Sequence, residues 1–66
     1  MCQMSVVIDR DGGEELVMED VTTLVVESDG MQISTLFEGP KIMEHVAIRS
    51  IDFMAGKVFL QQTDER

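Results

Sequence analysis

The chain has one cysteine, one histidine, one proline, and no tryptophan or tyrosine. With a single thiol, Cys2, no disulfide can form within the chain, and a lone unpaired cysteine fits a reducing cytoplasm. The scarcity of nucleophiles and bases argues against catalysis. Ser5, Ser28, Ser34 and Ser50 stand in strand-like contexts, without the sharp turn that presents a nucleophilic serine. Gly12-Gly13 is followed by no Lys-Ser/Thr pair and no helix, so it is not a phosphate-binding loop. Cations are scarce too: five Lys and Arg face thirteen Asp and Glu, for a net charge of −8. Such a field repels phosphates and anionic membrane surfaces. With only three phenylalanines as stacking platforms, the composition argues against a nucleic-acid partner. No apolar run reaches transmembrane length. The stretch Met1-Cys2-Gln3-Met4-Ser5 lacks the basic and apolar segments of a secretory signal. The expectation is a cytoplasmic non-enzyme.

What is present is a hydrophobic fraction of 44% in 66 residues, supplied mostly by Val, Ile, Leu and Met. That suffices for one domain, expected over 1–62, with a frayed tail over 63–66. A domain this small buries only about 60% of the surface of its unfolded chain, so a metal or a partner chain is the expected supplement. The apolar period is close to two throughout. Cys2, Met4, Val6 and Ile8 alternate with Gln3, Ser5 and Asp9 as a first strand with one buried face, ended by Asp11-Gly12-Gly13. Glu14 to Glu19 reads as a second short strand and Val21 to Ser28 as a third. Asp29-Gly30 is a hairpin signal. It leads into Met31 to Phe37, where Met31, Ile33, Thr35 and Phe37 share a face. After Glu38-Gly39-Pro40, the stretch Lys41 to His45 is the one candidate for a helical turn. Val46 to Phe53 is a fifth strand, with a bulge where Ile48 and Ile51 break the alternation. Lys57 to Gln62 is the last. The fold expected is all-β: a small SH3-like or Sm-like barrel of five to seven short antiparallel strands. Val7, Val25, Leu36 and Phe59 fall on the faces opposite the core. They mark either corners where a barrel buries both faces or the interface of a homodimer.

Few residues could carry a ligand. Asp9, Asp11, Glu14 and Glu15 crowd the first turn, but their spacing is not that of a calcium loop, and a solvated charged turn is the simpler reading. His45 has no second His or Cys at ligand spacing, which makes it a surface histidine first. Met4, Met18 and Met31 occupy apolar strand positions, where Met packs as a hydrophobe. Cys2 stands apart because of its place. With Met1 retained, the Met1 amine, the Cys2 amide nitrogen and the Cys2 sulfur can form fused chelate rings. With Met1 removed, the amine and sulfur of Cys2 still chelate as a pair. Planar nitrogen and sulfur donors suit nickel(II) or copper(II). The alternative is a small hydrophobe on an apolar strand.

Several segments carry a family resemblance: Met1-Cys2 before a Val-Val first strand, Asp20-Val21, Thr35-Leu36-Phe37-Glu38, Ile48-Arg49-Ser50-Ile51-Asp52, and Gly56-Lys57-Val58. In this order and spacing the chain resembles the CooT family nearly end to end. These are short proteins associated with nickel delivery to carbon monoxide dehydrogenase, and some have been labelled RNA-binding. The resemblance implies a β-barrel homodimer with a nickel(II) site around Cys2. Two chains would together supply two thiolates and two nitrogens. It also implies a nickel enzyme or its maturation ATPase as partner, and it carries no ligand role to His45. The competing reading is a protein-interaction or RNA-binding module without a metal.

Overall fold

The computed structural model describes residues 3–10 and 12–63. Six strands follow one another: β1 (Met4–Arg10), β2 (Gly13–Glu27), β3 (Gly30–Thr35), β4 (Lys41–Glu44), β5 (Val46–Asp52) and β6 (Lys57–Gln62). They form one sheet in the order β4-β3-β2-β1-β6-β5. The all-β class read from the alternation is therefore correct. Two details differ from expectation. The sheet is mixed, because β1 and β6 run parallel, with Val6 opposite Val58 and Ile8 opposite Leu60. It is also an open, curled sheet rather than a closed barrel, with β4 and β5 as its free edges.

The curl has two causes. The first is β2, whose 15 residues would run roughly 48 Å if straight, more than the longest dimension of the molecule, 39 Å. It bends instead. Its first half pairs with β1 and its second half with β3. The bend falls at Asp20, whose φ of 59° is left-handed, and at a register shift between Val21 and Thr23. Asp tolerates this conformation better than most side chains. The break expected between Glu19 and Val21 is thus a bend inside one strand.

The second cause is His45, also at φ 59°, which alone separates β4 from β5. Its N–H donates to the Asp29 carbonyl at 3.0 Å, and its own carbonyl accepts from the Thr63 N–H at 2.9 Å. One run of chain therefore pairs with β3, turns at His45, and crosses to pair with β6. The helical turn expected over Lys41–His45 is replaced by β4 and this corner.

Between the two halves of the curled sheet lies the core. Val6, Ile8, Val58 and Leu60 come from one half, Val21, Met31 and Ile33 from the other, with Val46 beyond the corner. Val7, expected on a second apolar face, is only 7% exposed. It stands opposite Leu16 on one side and Phe59 on the other. Arg49 sits 5.7 Å above the Phe59 ring. Val25 and Leu36 of the same expected set remain exposed. The bulge expected in the fifth strand is present, between Ile48 and Ser50.

Candidate functional site

Cys2, the sequence-derived metal ligand, lies outside the described residues, which begin at Gln3. Met4 stands opposite Val21, and Val21 opposite Thr35. Ser5 donates its N–H to the Gly56 carbonyl at 2.8 Å. A Cβ on Gly56 would come within 3.4 Å of the Gln3 carbonyl oxygen, and Gly56 has φ +70°, so both backbone conformation and close approach favour glycine. The start of β1 is thus set between the bend of β2 with the β3–β4 loop on one side, and the β5–β6 turn on the other.

Both flanking segments are fastened by a side-chain oxygen. The Thr35 hydroxyl accepts from the Phe37 N–H at 3.1 Å and the Glu38 N–H at 3.0 Å. The Asp52 carboxylate accepts from the Ala55 N–H at 3.0 Å, and the Asp52 carbonyl accepts from the Gly56 N–H at 2.9 Å. Such side chains mimic a backbone turn and hold it. Yet the residues these turns display are apolar: Leu36, Phe37, Phe53 and Met54 are 74, 90, 80 and 98% exposed. Phe37 was expected on the buried face of its strand. β3 ends at Thr35, and the turn swings Phe37 outward. The signal available in the sequence was the placing of large apolar residues inside turn-forming segments, Phe37-Glu38-Gly39-Pro40 and Phe53-Met54-Ala55-Gly56.

The other candidates are elsewhere. His45 is beside Thr63, at the far end of β6 from Gly56, a separation of roughly 17 Å along the strand. Its ring faces Asp29 at 3.4 Å, both side chains being well exposed. In the acidic first turn, Asp9 lies opposite Glu14 and is 3.7 Å from Arg49, while Arg10 is 3.7 Å from Glu15. These cations offset carboxylates that would otherwise repel across the ladder. Met31 is a core residue and Met4 and Met18 pack against the core, as expected. Among the described residues, no three His, Cys, Asp or Glu side chains are gathered to hold a metal. No polar or charged side chain among them is buried, and no helix is long and apolar enough to cross a membrane.

The arrangement is that of a small strand-built domain with large apolar residues exposed on its turns. The family model described as "CO dehydrogenase accessory protein CooT" matches residues 1–61, and the chain belongs to the CooT family. Its fold is similar to that of the crystal structure described as "putative CooT from Carboxydothermus hydrogenoformans". The TM-score is 0.82 and the identity 24%, over 96% of this chain and 100% of that one. No curated protein matches the chain.

Proposed function

We propose that this protein is a nickel(II)-binding accessory protein of carbon monoxide dehydrogenase maturation, a cytoplasmic homodimer that carries metal without catalysing a reaction. What supports the reading is the family match over residues 1–61 together with a thiol at position 2 of the sequence. Nickel is cargo here. Cys2 would hold it through sulfur, and the neighbouring amine and backbone nitrogens complete a donor set of the kind nickel(II) prefers. One cysteine per chain is too few for a closed site, so the Cys2 of a second copy supplies the remaining donors. The partner is the nickel enzyme or its maturation ATPase. A metal-free interaction module is the second reading, favoured by the exposed apolar turns.

The test is a nickel(II) titration followed by thiolate-to-metal absorption. The parent should show the band and release protons on binding, because the thiolate is the ligand form. Uptake should weaken as pH falls below the ordinary thiol pKa of about 8.5. Cys2→Ser should lose the band and weaken binding by more than about 100-fold, the loss that even an outer-shell partner can cause. His45→Ala should bind as the parent does. Equal binding by Cys2→Ser and parent would remove Cys2 from the site and leave the interaction module in first place.

A further inference from the structure

The β2–β3 hairpin, the His45 corner and the end of β6 meet at one end of the curled sheet, and the curl is open there. A cavity of about 340 Å³ lies between the hairpin and the start of β5. Val26, Met31, Val46 and Ile48 give it an apolar wall, with Glu27 and Asp29 also at its border. Met31 and Val46 are core residues, so the cavity is the mouth of the core. Val26 is 63% exposed, although Met31, its partner across the ladder, is only 2% exposed. The apolar face of β2 thus continues past the point where the core ends, and its last residue borders the cavity. The mouth of a curled sheet is a usual place for a ligand.

Its rim is held in place. The Asp29 carbonyl accepts from the His45 N–H, and the Glu27 carboxylate accepts from the Gln32 amide. Gly30 packs so closely on the Met43 and Glu44 backbone that no Cβ fits. A preformed site loses little freedom when it is filled. Where the polarity sits decides what fills it. No polar or charged side chain among the described residues is buried, so no side chain inside the cavity would orient a small molecule. The charge is on the rim instead. Glu27 and Asp29 are exposed, and no Lys or Arg lines the cavity. An adjoining cavity of about 210 Å³ shares Glu27 and Asp29 and adds Glu44 and the exposed Ile42. Arg10 and Arg49 are taken up by Glu15 and Asp9, at 3.7 Å in each case. An apolar centre inside a charged rim is the anatomy of a protein interface, and a rim of this sign selects a basic partner.

We infer that this mouth is a docking site for a polypeptide segment that places one apolar side chain in the cavity and carries Lys or Arg on either side of it. The flanking cations meet Glu27 and Asp29, with Glu44 beyond them. The site borders Thr63, past the end of β6, and so lies at the far end of β1 and β6 from Met4 and Lys57. It goes beyond the nickel reading and does not depend on it, since none of its residues is a ligand in that reading.

The test is an NMR titration of the full, isotope-labelled chain with short synthetic peptides. Each peptide has one central Leu, Met or Phe with Lys or Arg on both sides. Matched controls carry Glu in place of the cations, or Ser in place of the apolar residue. The basic peptides should give saturable shifts at the methyl groups of Val26, Met31, Val46 and Ile48, with affinity falling as salt rises. Both controls should bind at least about 10-fold more weakly. Val26→Ser should keep the dispersed spectrum of a folded chain and lose about 10-fold in affinity, the scale of one such side chain left uncovered. Glu27→Gln/Asp29→Asn keeps the shape of the hairpin. It should cost about 3–10-fold and flatten the salt dependence. No saturable shift at millimolar peptide would overturn the inference, as would equal binding of the Glu-flanked controls or parental affinity in both variants. The same methyl shifts on raising the protein concentration alone would give the cavity to a second copy. Equal shifts with hexylamine would give it to a small amphiphilic amine. Either result overturns the proposal too.

Discussion

Gly30 shows how closely single positions are constrained. Its φ is +153°, and a Cβ there would overlap the Met43 carbonyl and come within 3.0 Å of the Glu44 Cα. Those atoms are backbone of the neighbouring strand, so they can yield only by separating β4 from β3. Gly30→Ala should therefore cost about 2–4 kcal/mol from strain and overpacking together. Urea denaturation should show a lower midpoint at unchanged slope. His45 is the converse case. Its left-handed φ of 59° costs an L-residue roughly 1–2 kcal/mol, while its backbone bonds to Asp29 and Thr63 do not depend on the side chain. His45→Gly should fold at least as stably as the parent. His45→Val, β-branched at a left-handed position, should lose about 1–3 kcal/mol. A denaturation series in which Val and Gly behaved alike would show that the corner is not set by this residue.

At the scale of elements, the strands differ in what they bury. β6 lies between β1 and β5 and contributes Val58 and Leu60, the latter wholly inaccessible. Leu60→Ala should destabilise by about 2–5 kcal/mol, the range for a buried leucine. Leu16→Ala, on β2 at 52% exposure, should change stability by only about 0.5 kcal/mol. Equal effects would mean that the surface of β2 around Leu16 is covered. The period-two pattern was enough to place β1, β3, β5 and β6, because one face of each is apolar and a slip by one residue would expose it. β4 was not legible. Lys41-Ile42-Met43-Glu44 follows a proline and consists mostly of good helix formers. It is extended because the free edge of β3 is available, with Met43 opposite Met31 and Lys41 opposite Ile33. A context of this kind overrides weak local preference.

For the molecule as a whole, charge and size pull in opposite directions. A net charge of −8 on 66 residues opposes compaction and self-association, while a core this small favours a partner. If two copies share a nickel site, light scattering at micromolar concentration should return twice the chain mass of 7.4 kDa. Raising ionic strength toward 0.15 M, where the Debye length is about 8 Å, should strengthen the association by screening. The monomer mass at every salt concentration would remove the shared site.

By itself, the sequence determined the class of fold, the core places of Val6, Ile8, Met31 and Ile33, the hairpin at Asp29-Gly30, the bulge near Arg49 and the family. All of these are written in local alternation, turn chemistry and the order of short motifs. Tertiary structure decided what depends on residues far apart in the chain. The parallel pairing of β1 with β6 joins the two ends of the domain, and no local pattern encodes which strand a strand will meet. The bends at Asp20 and His45 are left-handed backbone conformations that neither side chain demands and that only the closing of the curl requires. The burial of Val7 came from neighbours on two other strands, Leu16 and Phe59. The outward set of Phe37 came from the end of β3 at Thr35, two residues earlier than the alternation implied, where the Thr35 hydroxyl accepted from the Phe37 and Glu38 amides and turned an inward-facing position into an exposed one.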